Sequence, residues 1–279
     1  LTFVGEYKQN DGPWQKEEDL NHISLWSKYL RDTNFGQFML SVSGYQADWD
    51  PTEQIPERAF GTAACADEFC TLDPTAEGET SRWIVTSELI GDDWGATLYA
   101  QSYDWTMSSN PTYDYQINQF DKRWTIGGQI EKSLIEEMNF QIISGGDFRY
   151  DNGSRIGVEH TDRGVYVEDI AANEIQEASY GAFVEATWYA TDTLRVIGGI
   201  RGDYYDFDAS ALNALSVSGS ATDSRVSPKI ALAWQAMDDL ELYANWGRGF
   251  HSNDARGVVN SVDPVPGLSQ GEGRELGAR

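Results

Sequence analysis

Along most of this chain, apolar and polar residues alternate one for one. From Leu194 the even positions read Leu194, Val196, Gly198, Ile200, Gly202 and Tyr204, and the odd ones Arg195, Ile197, Gly199, Arg201, Asp203 and Tyr205. Val226, Pro228, Ile230, Leu232 and Trp234 oppose Ser227, Lys229 and Gln235, and Leu240, Leu242, Ala244 and Trp246 oppose Glu241, Tyr243 and Asn245. Earlier, Tyr180, Ala182, Val184, Ala186 and Trp188 oppose Ser179, Glu185 and Thr187, and Trp124, Ile126 and Ile130 oppose Arg123, Thr125, Gln129 and Glu131. A period of two predicts strands with one apolar and one polar face. Small residues on the apolar face, such as Gly198 and Ala244, fit a face turned to lipid. A face packed on a protein core needs large interlocking side chains.

The joints between these runs alternate too. Short ones are expected at Arg31–Asn34, Gly91–Asp93, Leu134–Glu137, Ala190–Thr193 and Ala236–Asp239, each a few residues of turn chemistry. Long polar joints are expected at 8–21, 50–81, 107–118, 149–174, 207–224 and 251–270. A soluble sandwich or propeller has turns, but nothing forces strict alternation of short and long. An antiparallel transmembrane β-barrel does: short turns lie at one membrane surface and long loops at the other. The predicted fold is therefore all-β, a meander of about 12 strands in a partial barrel of this kind.

Composition adjusts this picture only in places. No apolar run reaches the ~18 residues of a transmembrane helix. Ten tryptophans and fourteen tyrosines in 279 residues supply rings for headgroup-level girdles, though cross-strand packing in a soluble β-protein would use them as well. The net charge of −25 argues against nucleic acid as a partner. It fits either a cation-attracting mouth or, preferably, acidic loops bridged by divalent ions at a lipopolysaccharide surface. Cys65 and Cys70 share one long loop with no histidine nearby. That favours a local disulfide in an oxidising compartment over free thiols or a metal site. The three histidines, His22, His160 and His251, make no metal or nucleophile spacing. Ser108, Ser109 and His160 could compose a hydrolase site only by coincidence of fold, so no enzyme and no cofactor is expected.

The most distinctive segment is Gly247-Arg248-Gly249-Phe250-His251-Ser252-Asn253-Asp254-Ala255-Arg256-Gly257, which leaves an aromatic-rich strand for a long loop. It resembles a barrel segment of TonB-dependent outer-membrane receptors. Other pieces resemble the same family in the same order: Gln54–Arg58, Gly78–Arg82, Gln119–Arg123, Gly199–Tyr204, Val226–Lys229 and Glu275–Arg279.

The resemblance implies the middle part of a barrel of about 22 strands, with residues 1–279 as one barrel fragment. The plug domain, the TonB box and the last strands would lie outside it. It implies a place in the outer membrane of a Gram-negative bacterium, among lipid and lipopolysaccharide, with TonB reached through the plug. The implied function is active uptake of a scarce solute, foremost an iron–siderophore complex. A passive porin-like channel is the alternative. Polar-face charges Arg123, Glu131, Glu185, Arg195, Arg201, Asp203, Lys229 and Glu241 are expected to face the lumen or the plug. Substrate contacts are expected at His251, Asn253, Asp254, Arg256, Arg58 and Tyr113. Asn253, Asp254 and Arg256 could instead brace the loop.

Overall fold

The computed structural model describes residues 1–279 and is one antiparallel sheet of 12 strands paired strictly in chain order. The strands are β1 (Thr2–Asn10), β2 (Leu20–Thr33), β3 (Gly36–Trp49), β4 (Glu77–Ile90), β5 (Trp94–Ser109) and β6 (Gln116–Glu137). They continue as β7 (Phe140–Asp162), β8 (Val165–Thr191), β9 (Leu194–Ala211), β10 (Gly219–Met237), β11 (Leu240–Ser252) and β12 (Leu268–Ala278). The only helix is the single turn α1 (Ala255–Val258) between β11 and β12. The sheet is not closed; β1 and β12 are its edges.

The alternation sets the register. Val184, Ile200 and Pro228 sit side by side across β8, β9 and β10, and Gly198, Ile230 and Trp246 across β9, β10 and β11. This apolar face has nothing packed on it. Ile200, Ile230, Leu232 and Trp234 are all exposed, as are Leu98, Trp124 and Ile126 further back. An apolar face this continuous is unstable in water and suited to lipid. On β8 it runs over the nine residues from Tyr180 to Trp188, a ring at each end, the length that crosses a bilayer core.

Three expectations need correction. The turn expected at Leu134–Glu137 lies at Met138–Asn139, and β6 runs on through those residues. A bulge between Ser133 and Ile135 breaks the alternation there, so the pattern ended before the strand did. The segment 149–174 is not a loop. β7 and β8, the two longest strands, extend to a two-residue turn at Arg163-Gly164. Both turn residues have positive φ (50° and 76°), the type I′ geometry that matches strand twist. Likewise β9 and β10 take most of 207–224, leaving 212–218 as the joint. Polar sequence was misleading here because a strand projecting beyond the membrane has water on both faces.

The buried core is small and lies off the sheet's middle. Ile156, Ile175, Phe207, Ala255, Val258 and Leu268 form one cluster, with Tyr205 and Phe250 against it. It fastens the 253–267 loop onto the polar face of β7–β10 near the long-joint end.

Candidate functional site

Two structured regions occupy the long-joint end, and the residues expected to touch substrate divide between them.

The first is the β11–β12 loop. Asn253 closes its base: its Nδ2 donates to the Pro266 carbonyl (2.7 Å) and Ser269 Oγ (2.9 Å), and its N–H to the Gly267 carbonyl (3.0 Å). Asp254 is the N-cap of α1 and accepts from the Arg256 N–H at 2.9 Å. Arg256 returns two guanidinium bonds to the same carboxylate, at 2.8 and 2.7 Å. Burial pushes the Asp254 carboxyl up, but the bonds from Arg256 outweigh it and leave the group below its usual range. The Ala255 N–H donates to Glu177 of β8 (3.2 Å), and Arg225 of β10 donates to the Leu268 carbonyl (2.9 Å). Every polar contact of Asn253, Asp254 and Arg256 thus lies within the loop and its footing. His251 sits exposed on β11 opposite Ser269 and joins no cluster.

The second region is a cavity of about 930 Å³ among the 50–76 loop, the 110–115 joint and the β7–β8 hairpin tip. Arg58 and Tyr113 both line it, and Arg58 Nη2 donates to the Thr112 carbonyl at 2.8 Å. One residue outside the expected contacts, Gln116, assembles it. Gln116, at the start of β6, is 2% exposed and uses its amide fully. Its Nε2 donates to Thr75 Oγ1 (2.8 Å) and Asp73 Oδ2 (3.3 Å). Its Oε1 accepts from Thr161 Oγ1 (2.9 Å) and the Gly164 N–H (2.8 Å). Three separate chain segments are tied by one side chain. No local signal marks it, because its partners are some 41 to 48 residues away in sequence.

Asp73 also accepts from Asn110 Nδ2 (2.9 Å) and Thr75 Oγ1 (2.6 Å). Burial raises its pKa, and these bonds more than reverse that, so it stays below the usual carboxylate range. Burial, with Glu53 and Asp73 near, pushes the Tyr113 phenol up to about 12, so it remains a donor at any physiological pH. His160 turns to the Tyr115 ring (centroids 5.1 Å apart) and Glu168 (3.5 Å), while Ser108 donates to Asn118. Neither Ser108 nor Ser109 is hydrogen-bonded to His160, so the three form no nucleophile–base pair.

Around the cavity, Cys65 and Cys70 are joined as a disulfide, with Cα atoms 5.1 Å apart. Phe69 beside them packs at a tilt against Trp14 of the β1–β2 loop (centroids 5.8 Å apart), and Lys16 of that loop pairs with Asp50 at 2.9 Å.

Below both regions, the expected charges lie on the polar face. Arg201 of β9 makes a two-pronged contact with Asp147 of β7, at 2.7 and 2.9 Å, passing across β8 at Gly181. Lys229 of β10 reaches Glu185 of β8 across β9 at Gly199. At each glycine a Cβ would collide with the cation crossing it. Arg123 pairs with Asp121 on its own strand, Glu241 with Arg279 (2.7 Å), and Asp203 with Arg201 (2.7 Å). Arg195 Nε is buried without a partner, and Glu131 faces Gly95 without an ion pair.

The sequence profile of the TonB-dependent receptor-like β-barrel family matches residues 9–274. No curated protein sequence matches. Among solved structures, the chain is similar to the ferric citrate transporter FecA in its unliganded form. There the TM-score is 0.79 and the identity 14%, with 99% of this chain and 43% of that one covered. It is similar to the ferric yersiniabactin uptake receptor FyuA from Yersinia pestis, at TM-score 0.67 and 13% identity over 99% and 47% of the two chains. It is also similar to the copper transporter OprC, at TM-score 0.64 and 16% identity over 91% and 41%. The chain therefore spans less than half the length of each of these.

Proposed function

Because this chain belongs to the TonB-dependent receptor β-barrel family, over residues 9–274, we propose that it is part of the wall of an active uptake receptor. The family sets it in the outer membrane of Gram-negative bacteria, and it is a transport and receptor family rather than one of enzymes. The observation that carries the reading is the sheet itself. Its one face is bare and apolar with rings at membrane-level positions. Its other face is lined with charges already paired to each other.

In the whole receptor, Arg123, Glu185, Arg195, Arg201, Lys229 and Glu241 face the lumen. There the paired charges fix the wall. The plug, and through it TonB, would supply the energy of uptake. The solute proposed is an iron chelate, which the ferric substrates in the names of FecA and FyuA support; the copper in OprC's name marks that as the finer, separate step. Asn253, Asp254 and Arg256 act as braces of the β11–β12 loop. Arg58 and Tyr113, on the cavity wall, remain the candidate ligand contacts.

The test uses the full-length receptor in its own outer membrane. Uptake of radiolabelled ferric chelates should disappear when the receptor or TonB is deleted. Uptake that persists without TonB would instead favour a passive channel.

A further inference from the structure

We propose that Glu177 is a proton-operated latch: with a proton on its carboxyl the β11–β12 loop stays docked on the sheet, and without it the dock loosens. This goes beyond the uptake reading and stands whatever solute the receptor takes.

The loop rests on the polar face of β7–β10 by three footings. Ala255, Val258 and Leu268 bury themselves against Ile156, Ile175 and Phe207. Asp223 and Arg225 of β10, 3.4 Å apart, clasp Leu268. The carboxylate accepts its N–H (2.9 Å) and the guanidinium donates to its carbonyl (2.9 Å). The third footing is a single bond, from the Ala255 N–H to Glu177 Oε1 at 3.2 Å.

The charges around that bond do not come out even. β6 brings Arg123 bound to Asp121, β7 brings Arg149 bound to Asp151 (2.8 Å), and the loop brings Arg256 bound to Asp254 (2.7 Å). Each arginine is spent on the acid two residues away. Glu177 is left as the fourth acid of the group, half-buried and in no ion pair.

Its neighbours disfavour a charge from both sides. Across β7 it is paired with Asp151, which is 8% exposed and already holds Arg149 and Thr125 Oγ1 (2.7 Å). Across β9 it is paired with the fully buried ring of Phe207, with Tyr205 beside that ring. A carboxyl between an apolar ring and a second carboxylate gives up its proton late. Glu177 lies beyond Tyr180, outside the membrane-level run of β8. Burial and Asp151 raise its pKa and Asp254 adds to them, while the Ala255 N–H and Arg123 oppose. A carboxyl whose pKa is raised by docking favours the docked loop fully below the undocked value of about 4.3. That contribution is lost as pH rises through the higher docked value. The neutral carboxyl keeps an acceptor oxygen, so the bond from Ala255 survives protonation.

The test is hydrogen exchange of the full-length receptor in detergent, read on peptides from 253–267 at about pH 5 and about pH 7.5 and corrected for intrinsic amide exchange. Segment 71–76, held through Asp73 at both values, is the internal reference. In the wild type, 255–259 should exchange severalfold faster at the higher pH. Glu177→Gln keeps a neutral acceptor, so with its barrel assembled it should be as protected at both values as the wild type is in acid. Wild-type protection that is equal at the two values, or greater at the higher one, overturns the proposal without any variant. Glu177→Gln that keeps the wild-type pH dependence overturns it too, and assigns control to Asp151 or Asp254.

Discussion

At the scale of single residues, glycine decides whether the polar face can pair its charges. Arg201 and Lys229 each find their acid two strands away, which is possible only because the residue between them, Gly181 or Gly199, has no side chain. A methyl group at Gly181 would meet the Arg201 guanidinium, so Gly181→Ala should cost about 1–3 kcal/mol through overpacking and a displaced ion pair. The urea midpoint of the refolded full-length barrel measures it; an unchanged midpoint would show that Arg201 finds another path at no cost. A second residue-scale prediction concerns acid. The Asp73 carboxyl has its folded pKa depressed, so its contribution is complete above the unfolded value of about 3.9 and is lost as pH falls through the lower folded value. Hydrogen exchange of segment 71–76 should therefore stay slow from pH 7 to about pH 4 and quicken only below that. Loosening already near pH 6 would assign the control to another group. The alternating charges themselves were legible in the sequence, down to which side of each strand they occupy. Their partners were not, because a pairing across an intervening strand follows from register, and register follows from the whole meander.

At the scale of elements, each strand was readable where one face meets lipid, and unreadable where it leaves it. Tyr180–Trp188 alternates cleanly, and so does Val226–Trp234, and both are strands as expected. The outer half of β7 and β8 carries polar residues on both sides and looked like a loop. The bulge at Ser133/Ile135 hid the end of β6 for the opposite reason, by shifting the phase of an otherwise apolar run. The cavity was half legible: Arg58 and Tyr113 were picked from neighbouring loops, but Gln116, Asn110 and Arg163 carry no pattern of their own. The Cys65–Cys70 bridge closes a short loop, with only five residues of separation. By chain entropy such a closure is worth roughly 2 kcal/mol to the segment it constrains. Replacing both cysteines by serine should therefore raise protease cleavage within 50–76 while barrel assembly, followed by heat-modifiable mobility, stays normal. Failure to assemble would mean the disulfide acts on folding of the wall itself, beyond its own loop.

At the scale of the whole molecule, the sheet's two edges set what these 279 residues can do alone. Strands β2 to β11 have both neighbours, whereas β1 and β12 each present a row of backbone N–H and C=O groups with no partner in this sheet. In a bilayer core each such group left unsatisfied costs several kcal/mol, which is why membrane-spanning sheets close. β1 is exposed along its full length, and Leu276 on β12 is 85% exposed. Both edges thus lack side-chain cover as well as backbone partners. The 12 strands could escape only by bending into a smaller cylinder. The cross-strand pairs at Gly181 and Gly199 and the loop fastened on β8–β10 by Phe207 and Leu268 oppose that, since each is fitted to the present curvature. Residues 1–279 refolded with liposomes should accordingly give no solute uptake and no discrete channel conductance. They should gain a heat-modifiable, protease-resistant form only when strands that pair with β1 and β12 are supplied. Substrate uptake into liposomes by 1–279 alone would show that the two edges meet each other, and that the wall closes at 12 strands.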